Sequence, residues 1–300
     1  MKQKIMGAAI VLFWVAMMFT LVRDRLDFSR GKGEVSELSP IALASRWQDQ
    51  EEWMQLLYKG IEVGAMNITM KKRDKGPGYL LTSRLLFQIR FLSWSKSVVM
   101  NASAVLDELF ILQKFLVQFR VADISSEVKG FYQKERLFFR VQRGGEASVG
   151  TLDLEHPPSL LDAVKTTVGR ELPLEVGRTF TIPAYDPVWG SGQGTAEISI
   201  VSRETIILDE SQYQAFRVET TLGDFTTVAW MDEEGSTLLR QVTPDLTMKR
   251  SSRSEILASY PIFRNPVPLP GPIEVKDFRV PGTGKTREPG GLLDILQDVM

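Results

Sequence analysis

The stretch "KFLVQFRV", residues 114–121, decides the fold class. In an extended chain Phe115, Val117, Phe119 and Val121 fall on one side. Lys114, Gln118 and Arg120 fall on the other, with Leu116 an apolar exception among them. A period of two is the mark of an antiparallel strand with one face buried. The stretch "RLFFRVQ" (136–142) sets Leu137, Phe139 and Val141 against Arg136, Arg140 and Gln142, and "TAEISIV" (195–201) separates Ala196, Ile198 and Ile200 from Thr195, Glu197 and Ser199.

Further strand-like runs cover 61–70, 79–91, 97–106, 215–221, 226–231 and 238–242. Turn chemistry separates them: DKGPG (74–78), RGG (143–145), GSGQG (190–194) and DEEG (232–235). One segment breaks the pattern. "PPSLLDAVKTTVG" (157–169) opens on prolines, offers Ser159 as a cap and ends on Gly169, so a helix is expected there. A second short helix is expected over Ser45–Leu57 (SRWQDQEEWMQLL). The expected body, residues 53–260, is therefore mainly β (α+β): an antiparallel meander with one or two short helices.

Both flanks differ from this body. From Ile5 to Val22 the chain carries no charge, with Lys2 and Lys4 before the run and Arg23 after it. Eighteen residues at about 1.5 Å each span a bilayer core. Residues 1–25 read as an uncleaved signal anchor and transmembrane helix, because no A-x-A-like cleavage site ends the run. The N-terminus is assigned to the cytoplasm. Residues 26–52 read as a linker or stalk holding the start of the short helix. Residues 261–300 form a Pro-rich arm, in which "PVPLPGP" can join neither a ladder nor a helix. The arm ends in "GLLDILQDVM", a marginal amphipathic helix that needs a surface to dock on. On this reading, removal of 261–300 leaves the β domain folded.

The residue inventory narrows the chemistry. The 300 residues include no cysteine and one histidine, and the net charge is −1. Thiolate nucleophiles, disulfides and cysteine metal sites are excluded, and nucleic acid is not an expected partner. The hexapeptide PGTGKT (281–286) has the look of a phosphate loop. It lacks the first glycine of that pattern, and Arg-Glu-Pro-Gly-Gly follows where a helix would have to begin, so no nucleotide is expected. Trp189–Ile198 (WGSGQGTAEI) leads into a strand, whereas a dinucleotide loop leads into a helix. His156 sits before two prolines and reads as a surface or cap residue. The acidic groups Asp107/Glu108, Asp209/Glu210 and Asp232–Glu234 sit at strand junctions, where such residues make turns. No catalysis, cofactor or metal is expected.

The stretches "YKGIEVGAMNITMKK" and "GYLLTSRLLF", with Tyr58, Gly60, Gly64 and Tyr79, resemble the opening of an uncharacterised bacterial periplasmic family. "LFILQKFLVQFRV", "VKGFYQKERLFFRV", "FTIPAYDPVWGSGQGTAEISIVSRETI", "YQAFRVET" and "TTVAWMDEEGSTLLRQV" continue the likeness over roughly residues 53–250. The same order is found in domains that precede some transglutaminase-like domains. The family looks like a relative of the lipoprotein-carrier fold, an incomplete β-barrel (half barrel) closed on one side by helices. The resemblance implies a curved antiparallel sheet that holds acyl chains on its concave face. By that analogy Phe87, Phe91, Phe115, Phe119 and Phe139 line an apolar cavity; a packed core is the competing reading of the same rings.

Two functions follow. The first is a bacterial inner-membrane protein, single-pass, with its main domain in the periplasm, that binds a lipid, lipoprotein or other amphiphile without catalysis. The second is an assembly subunit that docks envelope partners through its sheet edge and C-terminal arm. The expected partners are thus the lipid bilayer, an amphiphilic ligand and an envelope protein.

Overall fold

Two-residue turns set the register of much of the sheet. At Lys59–Gly60, Lys134–Glu135, Gly144–Gly145 and Asp209–Glu210 both residues have positive φ. This is the mirror-image turn whose twist matches that of the flanking strands. Glycine relieves the turn at Gly60 and at Gly144–Gly145. The other two turns hold non-glycine residues in the left-handed region at a cost of about 1 kcal/mol each, which the flanking ladders offset.

The structure is a computed structural model that describes residues 35–37, 49–91, 94–121, 124–154, 157–158, 174–185, 193–222, 225–271 and 278. The Ile5–Val22 span, most of the 157–169 helix, His156, PGTGKT and the C-terminal "GLLDILQDVM" lie outside these residues. Among the described residues no helix is long and apolar enough to cross a membrane.

The described strands are β1 (Val35–Glu37), β2 (Gln50–Tyr58), β3 (Ile61–Lys72), β4 (Tyr79–Phe91), β5 (Trp94–Leu106), β6 (Leu112–Val121), β7 (Ile124–Gln133) and β8 (Arg136–Arg143). They continue with β9 (Glu146–Asp153), β10 (Thr179–Tyr185), β11 (Gln193–Leu208), β12 (Ser211–Leu222), β13 (Phe225–Met231), β14 (Thr237–Gln241) and β15 (Leu246–Arg250). They form one curved sheet in the order β1-β10-β11-β12-β13-β14-β15-β2-β3-β4-β5-β6-β7-β8-β9. All pairs are antiparallel except β1 with β10. The chain enters mid-sheet at β2, meanders to one edge at β9, resumes near the other edge at β10 and works back inward. The last strand, β15, pairs with β2 from Leu246↔Tyr58 to Arg250↔Met54. The edge strands β1 and β9 do not pair with each other among the described residues, so the sheet is not closed.

Two sequence expectations are corrected here. The described part of the Ser45–Leu57 segment is strand from Gln50 onward, not helix. Its apolar spacing satisfies both periods, and pairing on both sides with β3 and β15 decides for the strand. Gln50, Met54 and Leu56, each 2% exposed, share one face. The 26–52 linker also contributes to the sheet, through β1 at one edge and the start of β2.

The second correction concerns the arm. After β15 the helix α1 (Arg253–Ser259) starts with a capping box, in which the Ser252 hydroxyl accepts from the Glu255 amide and the Glu255 carboxylate accepts from the Ser252 amide. A short 3-10 turn (Pro261–Arg264) follows. Residues 261–271 then lie against the outer face of the sheet instead of extending from it. Arg84, on the outer face of β4 and 4% exposed, donates from Nη1 to the carbonyls of Ile262 (2.5 Å) and Asn265 (2.7 Å), and from Nη2 to that of Pro266 (3.1 Å). Its Nε donates to Asn101 Oδ1 at 2.7 Å. Burial lowers the Arg84 pKa, and Arg120 adds repulsion. The Ser103 hydroxyl donates to the Pro268 carbonyl at 2.7 Å, and Lys114 Nζ reaches that of Gly271 at 3.3 Å. Ile256 and Phe263 pack on Ala65, Leu86 and Val99, while Phe278 meets Phe131 edge-on.

Truncation at residue 260 removes three acceptors from a buried guanidinium. Chemical denaturation is expected to show a loss of about 3 kcal/mol or more. Arg84→Met combined with the truncation is expected to cost much less than the sum of the two changes. Hydrogen bonds from Ser252 and Ser251 hold the Glu255 pKa below the usual glutamate value. A depressed acid stabilises above its unfolded pKa, and that contribution is lost as pH falls through the folded pKa. Glu255→Gln is therefore expected to flatten the acid limb of melting temperature against pH.

Candidate functional site

Paired residues in an antiparallel sheet share a face, so the registers resolve the inner face into rows that cross the strands. The row deepest along the strands runs Gln50–Met70–Leu81–Ala104–Phe115–Gly130–Phe139. The next is Glu52–Ile68–Ser83–Ala102–Val117–Val128–Val141. Then comes Met54–Met66–Leu85–Met100–Phe119. The last row before the rim is Leu56–Gly64–Phe87–Val98–Val121–Ile124.

These rows sort the five phenylalanines. Phe115 and Phe139 are 5% and 3% exposed and belong to a packed cluster with Leu106, Leu112 and Leu137. Gly130 lies between them because a Cβ there would sit 2.3 Å from the Phe138 carbonyl oxygen and 2.5 Å from the Phe115 ring. These two rings are packed into core. Phe87 and Phe119 lie in the two rows nearest the rim and are only half-buried. The side chain of Phe91 lies outside the described residues; its backbone pairs with Trp94.

Around Phe87 and Phe119 the inner face stays apolar and half-covered at Leu85, Val98 and Met100, and it reaches the rim at Val121 (41% exposed) and Ile124 (53%). Apolar surface left incompletely covered on a folded chain calls for an account. Its composition adds to this. Met54, Met66, Met70, Met100, Met231 and Met248, all the methionines of the body, lie on the inner face. Unbranched thioether side chains re-pack around irregular apolar ligands better than branched ones.

The floor of the same face is polar. Gln50 is 2% exposed, and neither its amide nitrogen nor its amide oxygen has a partner among the described residues. Glu52 Oε2 and Ser83 Oγ are likewise buried without partners. Unpaired buried polar atoms each cost about 1–3 kcal/mol, so three such side chains on neighbouring rows need an account. The sequence held the signal: each stands at an inward position of an otherwise apolar alternation.

Two clefts open elsewhere, and neither is lined by these aromatics. One, of about 260 Å³, lies on the outer face between Trp53, Asn67, Thr69, Arg253 and Phe263. The other, about 470 Å³, flanks the β7–β8 hairpin at Gln133–Arg136. Among the described residues no group of three or more metal-ligating side chains forms.

No protein-family model matches the chain, and no curated protein matches it. Among solved structures the chain is similar to the beta-barrel-like protein of domain of unknown function DUF1849 from Brucella abortus. The identity is 10% and the TM-score 0.46, over 67% of this chain and 94% of that one.

The division of the phenylalanines is measurable. Phe115→Ala and Phe139→Ala are each expected to cost about 3–5 kcal/mol, or a melting temperature lower by about 10 °C or more. Phe119→Ala is expected to cost less than half of that, in a thermal melt under the same conditions.

Proposed function

We propose that this chain is a non-catalytic binding protein of the bacterial periplasm that holds a lipid, a lipoprotein-borne acyl chain or another amphiphile against the inner face of its sheet. The observation that carries the reading is the half-covered apolar wall around Leu85, Phe87, Met100 and Phe119, which continues to the rim. A wall that existed only to stabilise the fold would be sealed like the Phe115–Phe139 end of the same face. Met100 and Met248, half-covered on the same face, supply adaptability, and the unpartnered polar atoms of the floor lie deeper on it. The reading assigns no reaction to the chain. It also keeps the Ile5–Val22 run as the tether to the inner membrane, which would place the sheet where amphiphiles leave or enter the bilayer.

The assembly-subunit reading loses part of its basis, because residues 261–271 are engaged by the chain's own Arg84, Ser103 and Lys114. The test is native mass spectrometry of the full chain released from detergent after gentle extraction from bacterial membranes. An adduct of lipid size is expected, and Phe119→Asp is expected to remove it while the melting temperature changes little. A clean unliganded mass from several preparations would overturn the proposal.

A further inference from the structure

We propose that the inner face is built for a single-chain anionic amphiphile, a long-chain fatty carboxylate, whose charge rests on Arg240. This rests on the binding reading above and adds the chemical class of the ligand.

Arg240 lies on β14, between Ala229 of β13 and Met248 of β15. Ala229 belongs to the buried inner-face cluster of the C-terminal strands, with Ile200, Val218 and Met231. Met248 packs on Leu56 and Met66 of the cluster of the N-terminal strands. Arg240 therefore projects from the inner face, at the seam where the two clusters meet. It is 8% exposed, and among the described residues it has neither a hydrogen-bond partner nor a carboxylate. Its stem is covered, but none of its guanidinium nitrogens is sealed off, so an apolar face carries an unpaired cationic fork that an anion from outside the chain can reach. Arg84 offers the contrast within this molecule, since its buried guanidinium has four acceptors.

The position of Arg240 indicates what accompanies the charge. Its row continues through Met248, Leu56 and Gly64 to Phe87 and Val98. Gly64 lacks a side chain because a Cβ there would lie 1.9 Å from the Leu86 carbonyl oxygen. From β14 to β4 the row crosses four strand spacings, about 19 Å along the sheet, which suits one long acyl chain. The neighbouring row Met54–Met66–Leu85–Met100–Phe119 lies about 7 Å away along the strands and is apolar throughout.

Charge complementarity favours a carboxylate. One guanidinium balances the single negative charge of a carboxylate, whereas a phosphate monoester carries about −1.5 to −2 and leaves charge unmet by one cation. The other arginine at the seam, Arg250, is already bound to Asp232 at 3.0 Å. The unpaired Glu52 oxygen lies two rows deeper and would repel an anion there, which directs the charge to Arg240 and away from the floor.

The experiment uses the full chain in detergent with four photoreactive probes of equal chain length: a fatty carboxylate, the matching alcohol, the matching amine and a lysophosphatidate. The expected result is capture of the carboxylate about tenfold over the alcohol and more over the amine, with labelled peptides from β4 to β6. Arg240→Gln is expected to abolish the carboxylate preference without reducing capture of the alcohol, and Arg240→Lys to restore part of it. Equal capture of carboxylate and alcohol by the wild-type chain overturns the Arg240 assignment while leaving amphiphile binding standing, and needs no variant to fold. Preference for the lysophosphatidate overturns the carboxylate. Absence of inner-face labelling with every probe overturns the binding reading itself.

Discussion

Everything in this architecture depends on the five-residue ladder between β15 and β2. Each half of the chain is a plain meander, β2 to β9 and β10 to β15, and each is joined strand by strand through short connections. Only the pairing of Leu246–Arg250 with Met54–Tyr58 makes them one sheet. The same ladder brings Met248 against Leu56 and so merges the inner faces of both halves. It also sets the alignment of Arg240 with Phe87, which no local turn could do.

The outer face is governed by a different economy. A strand with polar residues outward would normally leave that side to water, yet Leu86, Val99 and Leu116 are buried there. The segment after β15 covers them, and it is held largely by its carbonyl groups: three meet Arg84, one meets Ser103 and one meets Lys114. A proline-rich segment suits this role. It has few amide protons to satisfy, its backbone is already extended, and its carbonyls are free to be read by donors from the sheet.

The period of two made most strands legible, since alternation reports burial on one face directly. Strand β4 was read from Tyr79 to Phe91, as it is found. Strand β2 was not legible, because Trp53, Met54, Leu56 and Leu57 suit a helix as well as a strand and the choice is made by partners far along the chain. Docking of the arm had a trace in the sequence: Leu116 among Lys114, Gln118 and Arg120 is an apolar residue on the supposedly wet face, and Phe131 and Phe138 repeat the anomaly. The holding contacts left no trace, because backbone carbonyls belong to every residue type. For the site, alternation placed Phe87, Phe115, Phe119 and Phe139 on one face but could not tell depth along the strand. Depth separates the sealed end from the half-covered wall, and it is a property of register. Arg240 was read only as part of a strand run, because the meaning of an inward arginine depends on what stands opposite.

The strand order also has a consequence for how the chain reaches this state. The seam joins the first long strand to the last, so the sheet is completed only after almost the whole body has been made. Until then β2 presents a free edge, with Met54 and Leu56 uncovered on one side and Trp53 on the other. Pairings so distant in sequence are slow to form, and open edges invite association with other chains. A protein built this way emerges with its most adhesive strand first and its protector last, which makes the interval between them the hazardous part of its biosynthesis.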